Sequence, residues 1–126
     1  MTAIVPLRLF YLEDNPLIAF HVEAMIEDLG HVFAGSLSSF AELKASFSKI
    51  VMDGALIDID LADGATGPEA AKWLLNKGVP SIFVTGQTEV AAKHASISLG
   101  MIAKPVAIED MAAKLELFRS AIGSKG

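Results

Sequence analysis

Apolar residues along the chain fall into two alternating kinds of segment. Short runs rich in β-branched and aromatic residues occur at Leu7–Leu12, His31–Ala34, Ala55–Ile59, Ser81–Thr85 and Met101–Ala103. Several are apolar at consecutive positions, as strands covered on both faces are. Between them lie longer segments with apolar residues three and four apart, the spacing of one helix face. The first opens with Asn15 as a cap and Pro16 in the first turn, continues through Ile18, Val22, Met25, Ile26 and Leu29, and stops at Gly30. Ser39 with Glu42 predicts a capping box for a second helix, to about Ser48. Thr66 with Glu69 predicts another for a third, through Trp73 and Leu74 to Gly78. Thr88–Leu99 reads as a fourth helix with few large apolar anchors. Ile108, Met111, Leu115, Phe118 and Ile122 mark a strong fifth.

Five strands alternating with five helices predict an α/β fold, an open, doubly wound, five-stranded parallel sheet. The functional crevice of such a sheet lies beyond the carboxyl ends of the strands, where strand order reverses. One domain is expected over residues 1–126, with its core at about 7–122 and a frayed polar tail at 123–126. There is no repeat, linker or low-complexity tract.

Composition narrows the partners. A 52% apolar content and a mean hydropathy of +0.49 exclude a disordered chain. The 126 residues carry 10 Lys+Arg against 15 Asp+Glu, a net charge of −5 and a pI near 5.0, so the basic footprint of a nucleic-acid binder is missing. No cysteine is present, which removes disulfides, thiol catalysis and Cys-based zinc sites. No apolar run approaches the ~18 residues of a membrane span, and Met1–Pro6 lacks a basic leader. A soluble cytoplasmic domain without membrane or direct DNA contact is expected.

Four strand ends carry the candidate chemistry. Glu13 and Asp14 follow the first strand, Asp58 ends the apolar run of the third, Thr85 closes the fourth and Lys104 follows the fifth. Singly, such residues are ordinary turn and cap formers. Together, on one edge of a parallel sheet, they converge. Crowded carboxylates raise one another's pKa, and a hard divalent cation with oxygen ligands relieves them; Mg²⁺ suits, binding through one or two carboxylates, waters and a phosphate. A lysine at the rim answers phosphoryl charge, and a threonine hydroxyl can donate to a phosphate oxygen.

Phe10–Asn15, Leu56–Leu61, Phe83–Gly86 and Ala103–Pro105, in this order and spacing, resemble the receiver domain of two-component response regulators over nearly the whole chain. The resemblance implies a flavodoxin-like fold. It implies Asp58 as phosphoacceptor, with Mg²⁺ held by Glu13, Asp14, Asp58 and the backbone carbonyl of Asp60. Thr85 matches the switch hydroxyl, and Lys104 the phosphate-pairing lysine, joined to Pro105 by a cis bond. It also implies a sensor histidine kinase or phosphotransfer protein as donor, a downstream protein as target, and chemistry confined to the chain's own phosphorylation and dephosphorylation. In the family, activation reshapes the surface around the fourth helix, fifth strand and fifth helix.

Three departures are visible. Ala62 stands where the family usually has Pro, so that loop is expected to be less fixed. Met101 takes the place of the usual switch ring. Phe83–Val84–Thr85–Gly86 resembles the Phe-Ala-Thr-Gly motif of a subgroup of single-domain regulators. Asp60 and Gln87, two positions past Asp58 and Thr85, are placed to modulate phosphoryl lifetime, by shielding more than by assisting water. A stand-alone receiver is the first reading. The alternatives are a receiver cut from a larger regulator or hybrid kinase, a Mg²⁺-dependent phosphatase with an aspartyl nucleophile and Asp60 as second acid, and a binding module that takes no phosphoryl group. His21, His31 and His94 read as isolated, Trp73 as packing, and Leu117 as the edge of the buried stripe or of a partner surface.

Overall fold

The computed structural model describes residues 5–123. Five parallel strands, β1 (Arg8–Leu12), β2 (Val32–Leu37), β3 (Gly54–Ile57), β4 (Ser81–Thr85) and β5 (Met101–Ala103), form one sheet in the order β2-β1-β3-β4-β5. The helices are α1 (Pro16–Asp28), α2 (Phe40–Ser46), α3 (Gly67–Asn76), α4 (Thr88–Lys93) and α5 (Ile108–Gly123). This is the doubly wound flavodoxin-like arrangement expected from the alternation. The order reverses between β1 and β3, which places the crevice at their carboxyl ends.

Side-chain alternation divides the core between the two faces. Phe10, Leu12, Ala55, Ile57 and Phe83 pack with α2, α3 and Ala91 of α4. Leu9, Tyr11, Leu56, Ile82, Val84 and Ile102 pack with Val22 and Ile26 of α1 and Met111, Leu115 and Phe118 of α5. Gly54 allows the second contact, because a methyl there would stand 2.6 Å from the Phe118 ring. Among the described residues no helix is long and apolar enough to cross a membrane.

Several boundaries differ from the sequence reading. β2 runs on to Leu37, past Gly35, whose φ of +128° accompanies a register shift opposite Leu9/Phe10. β3 ends at Ile57, leaving Asp58 just beyond the strand. The α2 helix stops at Ser46 and tightens into a 3₁₀ turn over Phe47–Lys49. Ser39 accepts from Glu42 N–H as predicted, but Glu42 reaches the N–H and hydroxyl of Ser38 and the hydroxyl of Ser39 instead of the cap's own N–H.

The Thr66–Glu69 capping box does not form; Thr66 Oγ1 donates to Asp63 Oδ1 at 2.7 Å. The expected Thr88–Leu99 helix breaks after Lys93, and a 3₁₀ turn over Ala95–Ile97 follows. Ala91 is fully buried while Val90 and Ile97 pack against the core only in part, and His94, Ser96 and Ser98 are weak helix formers. Ile108 leaves the buried stripe of α5 and is exposed. Leu117 is 36% exposed at the edge of that helix, close above Gly100. Gly123 ends α5, and the remainder of the expected tail, 124–126, lies outside the described residues.

Candidate functional site

Backbone hydrogen bonds carry the sheet's order past the strand ends and fix the site. Glu13 N–H donates to Leu37 O at 3.0 Å, and Asp58 N–H to Leu12 O at 3.0 Å, so both acids are held where β1, β2 and β3 finish. Lys104 N–H donates to Thr85 O at 3.1 Å, fixing the lysine beside β4, and the Lys104–Pro105 bond is cis as expected. Asn15 caps α1 by accepting from the N–H groups of Leu17 and Ile18, which sets the turn bearing Glu13 and Asp14. Gly67 lets α3 begin directly against the site. A methyl there would overlap the Asp58 carbonyl oxygen and stand 2.7 Å from Ile59 Cα.

The ammonium of Lys104 joins the two buried acids. Nζ donates to Glu13 Oε1 at 2.7 Å and to Asp58 Oδ2 at 2.8 Å. Asp58 Oδ1 accepts from Ile59 N–H at 2.7 Å. Glu13 Oε1 also accepts from the Tyr11 hydroxyl at 2.8 Å, and Oε2 from Asn15 N–H at 3.2 Å. Asp14 stands exposed at the rim. One carboxylate oxygen from each of Glu13, Asp14 and Asp58 lies within 4.8 Å of the others, a hard oxygen donor set that fits a divalent cation.

Two of the three carboxylates are raised, by burial first and by the neighbouring Glu13 charge after it. Burial raises Asp58 against the opposing pull of Lys104. Desolvation raises Asp14, followed by the close approach and negative charge of Glu13. Glu13 moves the other way: burial would raise it, but the donors Lys104, Tyr11 and Asn15 N–H together bring it below the usual carboxylate value. Lys104 is itself held above its ordinary value, its burial outweighed by the two acids.

The second rim is formed by loops. Thr85 is buried, and its Oγ1 accepts from Gln87 N–H at 2.8 Å. Gln87 Nε2 donates to Asp60 Oδ2, so the two residues singled out beside the mouth are joined to one another across it. Met101 is half-buried against the α2–α3–α4 face, paired in the sheet with Phe83. Beyond Asp60 the loop is better tied than Ala62 led one to expect. Ala62 N–H donates to Ser38 O at 2.8 Å, a bond proline lacks the hydrogen to make. Asp63 accepts from Phe40 N–H at 3.2 Å and from Ala41 N–H at 3.0 Å, fastening the loop to α2.

Sequence reasoning brought Glu13, Asp14, Asp58, Thr85 and Lys104 to one crevice and omitted Tyr11 and Asp63. Tyr11 was legible in principle, since a residue two before Glu13 on a strand lies on the same side of it. Asp63 was not, because its partners are backbone groups some twenty residues away. Of the remaining singled-out residues, His31 and Trp73 have structural roles. His31 Nδ1 accepts from Leu7 N–H at 3.0 Å, and Trp73 packs edge-on against Phe40 and Phe47.

The sequence pattern of the response regulator receiver domain matches residues 9–116. The phyllosphere-induced regulator PhyR of Methylorubrum extorquens is 38% identical over 84 residues, 65% of this chain and 32% of that protein. The chain thus spans about a third of that curated relative. The crystal structure of the response regulator PhyR from Brucella abortus is similar over 96% of this chain and 49% of that one, at 32% identity and a TM-score of 0.79. The solution structure of the Erythrobacter litoralis PhyR receiver domain covers 91% of each chain at 26% identity and a TM-score of 0.81.

Proposed function

The chain belongs to the response regulator receiver domain family of two-component signalling, and from that premise we propose that Asp58 is its phosphoacceptor. The observation that carries this reading is the position of Lys104 Nζ, 2.8 Å from Asp58 Oδ2 and 2.7 Å from Glu13 Oε1, at the point where strand order reverses. A sensor histidine kinase or phosphotransfer protein is the donor. An oxygen of Asp58 forms a bond to phosphorus as the bond from phosphorus to the donor's imidazole nitrogen breaks, and that nitrogen keeps the electron pair. The product is an acyl phosphate, which water later cleaves to restore the carboxylate.

Mg²⁺ is the proposed cation, held by Glu13, Asp14, Asp58 and the Asp60 carbonyl, and when bound it supplies positive charge for the phosphoryl oxygens. Lys104 answers the same oxygens from the opposite rim, and Thr85 offers its hydroxyl to one of them. Asp60 and Gln87, bonded across the mouth, shield the acyl phosphate from water. The donor docks over the groove of about 490 Å³ lined by Leu17, Ile18, His21, Lys104, Pro105 and Val106, where Leu17 is 78% exposed beside the site. Output is protein–protein binding through the surface of α4, β5 and α5, in the cytoplasm, and the chain processes no substrate but its own phosphoryl group.

Incubation with a small acyl phosphate and Mg²⁺ tests the reading by intact mass. One phosphoryl group per wild-type chain and none on Asp58→Asn are expected. Uptake by Asp58→Asn at the wild-type rate overturns the acceptor assignment, and steady turnover of many phosphomonoesters makes the protein a phosphatase.

A further inference from the structure

The geometry points to Tyr11 as a positioning residue, one that holds Glu13 in place while Lys104 moves from Glu13 to the phosphoryl group. The inference deepens the proposed function and rests on Asp58 being the phosphoacceptor. Tyr11 is fully buried in the layer formed with α1 and α5. Its hydroxyl donates at 2.8 Å to Glu13 Oε1, the same oxygen that accepts Lys104 Nζ at 2.7 Å. Lys104 is therefore shared, because Nζ is also 2.8 Å from Asp58 Oδ2.

A phosphoryl group on Asp58 carries more negative charge than the carboxylate it replaces, and it competes with Glu13 for that ammonium. Leaving the buried Glu13 oxygen that gives up Lys104 without a donor is costly, by more than the bond itself contributed. Tyr11 reduces that cost. Its ring is locked by packing, so the hydroxyl cannot follow the phosphoryl group, and being neutral it supplies a hydrogen bond without adding a second cation to the crevice. Its apolar neighbours on β1, Leu9, Phe10 and Leu12, fill core volume only. Tyr11 is the only tyrosine in the chain, and its hydroxyl meets the one buried acid that Lys104 must release.

Tyr11→Phe keeps the ring and removes the donor. Glu13 Oε1 then keeps Lys104 as its remaining donor, and the maximal rate of phosphorylation by a small acyl phosphate falls about fivefold, the scale of one hydrogen bond. Mg²⁺ affinity, read by calorimetry without phosphodonor, does not weaken, since Glu13 loses a competitor for its oxygen. An unchanged maximal rate overturns the inference, and so does a parallel loss of rate and Mg²⁺ affinity, which would assign Tyr11 to packing alone. A second measurement needs no variant: the single signal of ¹³C-labelled Tyr11 in wild type shifts when beryllofluoride and Mg²⁺ are added. A signal that stays in place at saturation also overturns it. Wild type run in parallel separates the two proposals. If its Asp58 takes up no phosphoryl group, the functional reading falls and this inference with it; if it does and Tyr11→Phe matches it, only the role of Tyr11 falls.

Discussion

On the β1–β3 side of the crevice the two buried acids are each held more than once, whereas on the β4–β5 side, Lys104 apart, the elements are short and sparsely tied. Glu13 has three donors besides its own backbone bond to Leu37, and Asp58 has Lys104, Ile59 N–H and a backbone bond to Leu12. The loop that follows Asp58 is fastened to Ser38 through Ala62 and to α2 through Asp63. Opposite, Thr85 Oγ1 has one bond to a backbone N–H, α4 runs six residues with Ala91 alone buried, and β5 is three residues long. The difference teaches how a site can be both precise and responsive. The acceptor sits on a floor that does not give, and the reporting surface is joined to it by contacts that can be exchanged at small cost.

The largest expected effect comes from breaking the floor. Gly67→Ala puts a methyl against the backbone of Asp58 and Ile59, which have no side-chain end to swing away. Overpacking of this kind costs about 3 kcal/mol or more. An unfolding free energy from urea titration lower by that amount, with phosphorylation impaired in the folded fraction, is the expected result. Wild-type stability for Gly67→Ala would show the floor to be softer than the contacts imply.

The second prediction concerns the looser side. Amide hydrogen exchange over residues 88–99 should be at least about tenfold faster than over β1 and β3, because few buried contacts oppose local opening. Beryllofluoride with Mg²⁺ should slow it. Equal protection on both sides, before and after addition, would erase the contrast.

How much of this was readable follows the same division. The buried strands, the α1 cap at Asn15 and the convergence of Glu13, Asp14, Asp58, Thr85 and Lys104 rest on local patterns and on one topological rule, so the sequence carried them. Three features do not. The Ala62 and Asp63 anchors depend on which loop lies beside α2, and the α4 break is a balance among weak preferences. The fall of Glu13 while Asp58 rises depends on donor counts that only side-chain positions reveal.

The third prediction tests the side-chain bond that joins the two loops at the mouth, the two regions being tied at the floor by Lys104. Asp60 lies on the β3 side and Gln87 on the β4 side, and each completes the other's hydrogen bond. Asp60→Ala and Gln87→Ala should each shorten the phosphoryl half-life about two- to fivefold, as the loss of one hydrogen bond would, and the double variant should add little more. Longer half-lives would show that the pair assists the attacking water. Additive shortening would show two independent residues in place of one tie.

The smallest effect lies at the amino edge of the sheet and separates the crevice from the rest of the fold. His31 Nδ1 accepts from the N–H of buried Leu7, which only the neutral ring can do. Burial first, then the nearby charge of Arg119, lowers the His31 pKa below its ordinary 6.5, against a weaker pull from Glu116. The unfolded chain therefore binds this proton at a higher pH than the folded one does. Its contribution to stability is fully present above about pH 6.5 and declines as pH falls from there towards the folded value. The unfolding midpoint of wild type should accordingly drop slightly between pH 7.5 and 5.5, above the range where most carboxylates protonate. His31→Gln keeps a side-chain carbonyl as acceptor and removes the titration, so its midpoint should be flatter over the same interval. Because Asp58 and Lys104 are untouched, phosphorylation of that variant should match wild type at pH 7.5. A slope that survives His31→Gln would move the pH sensitivity from the amino edge to the crevice and make the crevice floor the weaker part of the molecule.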